Sequence, residues 1–221
     1  MSLNCTTDKY DDLYAPWLQK PDSLLRLAKY DPETDSLVDL CGGTGAVSKA
    51  ATVLATHRSV ENPIIDLVDL NPRLLTDPWV VPYVGAAENL DSILPPRSRT
   101  LVVCRQAMGY LDPEQVIPAV GYVLKPGGRF VFSTFKQPRP YRIKRYTYQG
   151  ERYMEFHVSA FGKVLHLQKK YGPYGGSDWS LFKYHRVSYL HQLLCSLFLV
   201  DFQEVGRSYR WVCTRRLIPE G

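Results

Sequence analysis

The stretch "LVDLCGGTGAV", Leu37 to Val47, sets a cysteine and three glycines between a short apolar run and a helix-forming segment. A strand that ends in a glycine-rich turn and re-enters as a helix brings bare backbone and a helix N-terminus against a ligand, which suits a nucleotide-bearing cofactor. Asp69 lies 24 residues beyond Gly45, at the end of the second strand in "IIDLVDL". A carboxylate there can accept hydrogen bonds from both ribose hydroxyls of an adenosine group. Those two features fit NAD and S-adenosylmethionine equally.

The elements that must position these residues follow from the apolar pattern. "SLVDL" (36–40), "IIDLVDL" (64–70), "WVVPYVG" (79–85), "TLVVC" (100–104) and "RFVFSTF" (129–135) are short apolar strands. "AVSKAATVLATH" (46–57) and a segment from about Pro113 to Leu124 have helical spacing. Strands alternating with helices over about 100 residues predict parallel β-α-β units, whose ligands bind at the carboxyl ends of the strands. Ahead of them, "PDSLLRLAKY" predicts one helix, with Pro21 and Asp22 suited to its start.

Beyond residue 135 the rhythm changes. "YRIKRYTYQGERYMEFHVSAFGKVLHLQKKYG" predicts three antiparallel strands turning at Gln149-Gly150 and Phe161-Gly162, with "DWSLFKYH" a fourth. "SYLHQLLCSLF" (188–198) returns to helical spacing with Ser188 as its N-cap. "LVDFQEV" and "SYRWVCTRRL" close the chain as a hairpin.

The 221 residues suffice for one large α/β unit with a substantial core, and 45% apolar content argues against extensive disorder. No apolar run reaches the roughly 20 residues that span a bilayer, and the N-terminal stretch has no export-signal pattern. The opening "MSL" and closing "EG" read as expression remnants. Five scattered cysteines without a C-x-x-C pair point to a reduced, cytoplasmic protein, and no histidine spacing suits a metal. Net charge is +5, but residues 1–128 carry 11 Lys/Arg against 16 Asp/Glu, while residues 129–221 carry 16 against 6. The basic half fits a solvated face, an anionic small substrate or, with less support from "YRIKRYTY", nucleic acid.

"GAAENL" (85–90), "CRQAMGYL" (104–111) and above all "VLKPGGRF" (123–130) complete a pattern that resembles the class I S-adenosylmethionine-dependent methyltransferases. The resemblance is strongest to the small-molecule subgroup that includes ubiquinone and menaquinone biosynthesis enzymes. It covers residues 36–135 and the closing helix and hairpin, 188–217. It implies a Rossmann-like, seven-stranded, mostly parallel sheet with helices on both faces, interrupted by an antiparallel β insertion over 136–187. It further implies that Asp39, Gly43 and Gly45 shape the turn beside the cofactor's amino-acid portion. Asp69 would take the ribose with Leu70 packing on the adenine. Ala86, Ala87 and Glu88 would lie along the adenine edge, and Arg105 and Gln106 near the methionine portion. Cys41 stands at the first glycine of the family's usual spacing, and is read as a small packing residue beside the cofactor, not a nucleophile. Three positions depart from the family: Ala86 and Thr100 stand where acidic residues are usual, and Gly109 where histidine is.

Methyl transfer is an in-line displacement whose difficult chemistry belongs to the cofactor, so the protein must align the acceptor and exclude water. No catalytic base is assigned. The N-terminal segment (4–35) and the insertion are expected to cap the substrate, with Tyr10, Tyr14, Trp17, Tyr110, His157 and His185 as candidate contacts. A non-catalytic cofactor- or RNA-binding module and an NAD-dependent oxidoreductase are the alternative readings.

Overall fold

The computed structural model describes residues 21–70, 78–136, 143–148, 151–160, 163–171, 179–206 and 208–217; for residues 143–184 it describes the backbone. Helix α1 (Pro21–Leu27) is followed by β1 (Ser36–Leu40), α2 (Ala46–His57), β2 (Ile64–Asp69) and β3 (Val80–Val84). A 3-10 turn (Ala87–Asn89) leads through the short α3 (Leu90–Ile93) to β4 (Arg99–Cys104), α4 (Pro113–Val123) and β5 (Leu124–Phe135). Four strands follow, β6 (Ile143–Tyr148), β7 (Glu151–Ala160), β8 (Lys163–Tyr171) and β9 (Trp179–Tyr184). Helix α5 (Val187–Cys195), β10 (Phe198–Val205) and β11 (Ser208–Arg215) end the described chain.

The main sheet has seven strands in the order β10-β11-β5-β4-β1-β2-β3. Strands β1 to β5 pair in parallel, whereas β11 runs antiparallel to both β5 and β10. Alternation along the strands builds two cores. Leu37, Ile65, Leu67, Leu101, Val103 and Val131 face α1 and α2, while Val38, Leu40, Val68, Val102, Cys104, Phe130 and Phe132 face α4 and α5. Strands buried on both faces read as continuous apolar runs, which is why β1, β2 and β4 were visible in the sequence. The expected architecture, helices on both faces of a mostly parallel sheet, is therefore present. On the α4–α5 side an aromatic ladder ties the antiparallel edge to the parallel body: Phe130 stacks on Phe132, Phe132 on Trp211, and Trp211 on Phe202.

Three details differ from the sequence expectation. Strand β5 begins at Leu124, paired with Arg99, and Lys125–Gly128 bulge out before pairing resumes at Arg129 beside Leu101. Gly127 takes φ 77° in that bulge, a conformation that favours glycine. Helix α5 starts at Val187 with Arg186 in the cap position and no side-chain cap bond, so Ser188 lies inside it. The same helix stops at Cys195, because fully buried Phe198 already opens β10 and packs on Phe130.

The insertion forms its own four-stranded antiparallel sheet, β6-β7-β8-β9, as expected. The turn residues 149–150 and 161–162 lie outside the described residues, as do Tyr10, Tyr14 and Trp17. At the opposite end of the main sheet from the glycine turn, a polar cluster fastens the N-terminal ends of β1, β4 and β5. Asp35 pairs with Arg129 and accepts from Thr100 Oγ1 at 2.9 Å, and Ser36 N donates to Thr100 Oγ1 at 2.9 Å. Thr100 thus bridges β4 to the start of β1. No helix among the described residues is long and apolar enough to cross a membrane.

Candidate functional site

Asp39 lies on the α2 face of β1, by the same alternation that sends Val38 and Leu40 to the other side. Its carboxylate is 1% exposed, and Oδ2 accepts from both the backbone N–H (2.9 Å) and the hydroxyl (2.8 Å) of Ser48. Ser48 is the third residue of α2. The cap position, Gly45, has no side chain, so a carboxylate nine residues upstream does the work of an N-cap, satisfying an otherwise orphan donor of the first turn. Gly42 lies directly over that carboxylate. A Cβ there would stand 2.8 Å from Asp39 Cγ, so no larger residue fits without displacing the acid.

Burial penalises the ionised form and pushes Asp39 up to about 6, against the lowering effect of the Ser48 hydrogen bonds and of Arg105. An unfolded aspartate titrates near 3.8. Between these values the folded chain holds more protons than the unfolded one, so this group's stabilising contribution is complete below about pH 4 and is lost as pH rises through 6. The change is on the order of 3 kcal/mol. Asp39→Asn has no such titration. Denaturant midpoints from pH 4 to 7 should show the variant gaining steadily on the parent protein, and a constant gap across that range would contradict the burial argument.

Gly43 and Gly45 take φ 55° and 71°. A Cβ built on Gly43 meets nothing within 4 Å, so this turn presents bare backbone to open space. Gly43 N donates to Asp69 Oδ2 at 3.0 Å, closing the turn against the end of β2. Cys41, between Leu40 and the glycines, is itself left-handed at φ 56°, and its N–H donates to Val68 O at 2.7 Å. Glycine would hold that conformation without strain, which accounts for the usual residue at this position. Beside Asp69, Leu70 is 68% exposed, an apolar side chain offered to solvent at the rim of the turn.

The other residues expected at the cofactor fall nearby with different burial. Ala86 is half-buried and caps the 3-10 turn, while the Ala87 side chain is buried in the α4–α5 core. Glu88 Oε1 accepts from Asp112 N at 3.1 Å, joining the segment after β3 to the start of α4. Past β4, Arg105 is half-buried and acts electrostatically on Asp39. Gln106 is fully buried at φ 57°, with its N–H on Ser133 Oγ at 3.2 Å. A left-handed, buried, non-glycine residue stores strain, as loops that present ligand contacts often do.

Tyr110 lies on this loop, and His185 is fastened to it. Tyr110 is 36% exposed and its N–H donates to Ala107 O at 2.8 Å. His185, the residue after β9, places Nε2 3.0 Å from Met108 O, where only the Nε2–H tautomer makes a hydrogen bond. Its ring stacks at 6.1 Å on Tyr189, whose hydroxyl donates to Glu114 at 2.7 Å. The exit of the insertion sheet is thereby fastened to the loop that follows β4. His157 lies on β7 directly opposite His166 of β8. Among the described residues no group of three or more His, Cys, Asp or Glu could hold a metal ion. Sequence reasoning missed Gly42, Ser48 and Ser133. For Ser48 a signal existed, a hydroxyl residue in the first turn of a helix whose N-cap is glycine.

A methyltransferase-domain family model matches residues 13–166, more than half of the chain. An uncharacterized methyltransferase of Mycobacterium tuberculosis (strain H37Rv) and one of Mycobacterium bovis are each 32% identical over 93 residues. That alignment spans 42% of this chain and 37% of the relatives' length. Among solved structures, an S-adenosylmethionine-dependent methyltransferase from Clostridium acetobutylicum superposes with TM-score 0.69 at 14% identity, covering 96% of this chain and 98% of that one. The S-adenosylmethionine-bound CalS10, an amino pentose methyltransferase from Micromonospora echinaspora, gives 0.64 at 17% identity, covering 93% and 96%.

Proposed function

The chain belongs to the methyltransferase-domain family, and from that premise we propose that it transfers a methyl group from S-adenosylmethionine to a small-molecule acceptor. One observation carries the proposal. The carboxylate of Asp69, the bare backbone of Gly43 and the exposed side chain of Leu70 converge at the carboxyl ends of β1 and β2. That combination matches the ribose hydroxyls and adenine of the cofactor.

In this reading Asp69 holds the ribose and Leu70 packs on the adenine, while Glu88 and the backbone of Ala86 and Ala87 line its edge. Asp39 is a positioning residue: its bond to Ser48 fixes the turn on which Gly43 and Gly45 approach the amino-acid portion. Cys41 packs beneath that turn, and Arg105 and Gln106 border the methionine portion. When bound, S-adenosylmethionine supplies the electrophilic methyl group. The chain's own task is to orient the acceptor and exclude water, which falls to the loop after β4, to Tyr110, and to the segments 4–35 and 136–187 acting as a cap. The His185–Met108 attachment supports that role, since it brings the end of the insertion to the loop beside the cofactor. The excess of Lys and Arg beyond residue 128 supports an anionic acceptor. The CalS10 neighbour, an amino pentose methyltransferase, supports a small molecule over nucleic acid. The four cysteines among the described residues are free thiols, which supports a reducing, cytoplasmic setting.

Turnover is the test. Incubating the protein with methyl-labelled cofactor, a panel of hydroxyl- and amino-bearing metabolites including anionic ones, and total RNA should move label to a metabolite. Label on RNA alone would contradict the small-molecule reading. Cofactor binding without transfer to any acceptor would favour a binding module.

A further inference from the structure

Cys41 is the point at which the alternation of β1 breaks. Leu37 and Asp39 face α2, and regular alternation would send Cys41 the same way. Its left-handed backbone turns it instead onto the opposite side, where it packs against the cluster that contains Cys104. Cys104 ends β4, the immediate neighbour of β1. Asp39 is level with Val103, so Leu40 is level with Cys104 and Cys41 stands one residue beyond. With strands about 4.8 Å apart and a rise of about 3.3 Å per residue, the two Cα atoms lie about 6 Å apart, within the range disulfides use. Cys104 is fully buried and Cys41 is partly exposed as a residue, so of the two Cys41 lies nearer the surface and is the one a small oxidant reaches first.

We propose that Cys41 and Cys104 are an oxidisable thiol pair set beneath the glycine turn, which peroxide converts to a disulfide that closes the cofactor site. The Cys41 thiolate attacks one peroxide oxygen. The O–O bond breaks, one water leaves after protonation, and Cys41 becomes a sulfenic acid. The Cys104 sulfur then attacks the Cys41 sulfur, the S–O bond breaks, the S–S bond forms and a second water leaves. The two sulfurs together lose two electrons and peroxide gains them. A disulfide brings the sulfurs to about 2.05 Å, well inside their non-bonded separation, and so draws Cys41 toward β4. Cys41 is tied to Val68 and lies two residues from Gly43, whose N–H holds Asp69, so the turn and the ribose carboxylate lose their register together.

The Cys104 thiol is the largest influence holding Cys41 well above the usual thiol range, followed by burial and by the nearby carboxylates Asp69 and Glu88. Cys41 is therefore mostly protonated at neutral pH. Its oxidation rate should rise about tenfold per pH unit between 7 and 9, where a low-pKa sensor thiol would already have levelled off.

The disulfide stands independently of the proposed function, whereas its effect on the cofactor rests on that reading; the experiment separates them. The full chain is treated with hydrogen peroxide at pH 8 and mapped by peptide mass spectrometry. S-adenosylhomocysteine binding is then measured before oxidation, after it and after dithiothreitol. A Cys41–Cys104 cross-link is expected, absent in Cys104→Ser and Cys104→Ala, with affinity at least tenfold weaker in the oxidised form and restored by the reductant. Oxidation confined to Cys195 or to mixed pairs, or a cross-linked protein that binds as well as the reduced one, would overturn the proposal. Failure of the reduced protein to bind would overturn the cofactor reading and the closing effect with it, while the cross-link still decides whether the thiols pair.

Discussion

Replacing Asp69 with alanine is expected to weaken S-adenosylhomocysteine binding by about 100-fold while leaving the fold intact. The carboxylate ends β2 half-buried, and it already accepts the Gly43 N–H at 3.0 Å. Hydrogen bonds to a charged acceptor contribute about 1.5–3 kcal/mol each, and two ribose hydroxyls sharing one carboxylate bring the expected loss to roughly 3 kcal/mol. Part of that loss comes from the turn, since Gly43 is no longer held against β2. Asp69→Asn keeps an acceptor for Gly43 but not the charge, and about a tenfold loss is expected. Calorimetry on both variants measures this directly, with thermal unfolding as the control. Unchanged affinity in Asp69→Ala would place the ribose elsewhere.

Asp35→Ala should do the reverse, with a large loss of stability and no change in cofactor affinity beyond about threefold. Asp35 is almost fully buried, pairs with Arg129, and also accepts from Thr100 Oγ1 and from the N–H of Asp31 at 2.9 Å. Arg129 in turn donates to the carbonyl of Ala28, so removing the acid strands a largely buried guanidinium between β5 and the end of α1. Breaking one partner of such a pair costs about 3–5 kcal/mol. For a domain of this size that corresponds to a fall in Tm of roughly 10 °C. The neighbouring Tyr30 hydroxyl is buried without a hydrogen-bond partner among the described residues. Burial and the negative charges of Asp35 and Asp31 push that phenol up to about 12, so it stays neutral. Asp35 precedes β1 at the end of the sheet away from the glycine turn, five residues or roughly 17 Å of strand distant, which is why affinity should be spared. A double variant, Asp35→Ala with Arg129→Met, should recover part of the stability. A Tm within 2 °C of the parent's in Asp35→Ala would show that the ion pair contributes little to stability.

The contrast between these variants reflects how the chain divides its polar groups. The carboxyl ends of β1 and β2 hold groups arranged around open backbone, whereas the amino ends of β1, β4 and β5 hold groups that satisfy one another. Sequence alone exposed the first arrangement in outline. The strands and α2 were legible because doubly buried strands are continuous apolar runs bounded by glycine, proline and aspartate. Asp69 was legible because it ends such a run. The bonds that give the site its shape were not. Asp39 to Ser48 spans nine residues and Gly43 to Asp69 spans 26, and each depends on a register between elements that no local pattern encodes. The left-handed backbone at Cys41 and Gln106 was equally hidden, since both residues ordinarily avoid it. Ser188 misled for a related reason. Its type favours a cap, but the first turn of α5 closes on Arg186 O through Leu190 N and is anchored by one tertiary attachment, the His185 ring at Met108. Tertiary packing overrode the local preference there, as it did at Phe198.

The central claim is that the turn from Asp39 to Gly45, closed by Asp69, binds S-adenosylmethionine. Isothermal titration of the reduced protein with S-adenosylhomocysteine, run beside an identical titration with NAD, tests it most directly. A one-to-one complex with S-adenosylhomocysteine, with Kd on the order of micromolar, and no saturable heat with NAD are expected. Saturable binding of NAD, or no binding of S-adenosylhomocysteine, would contradict that claim.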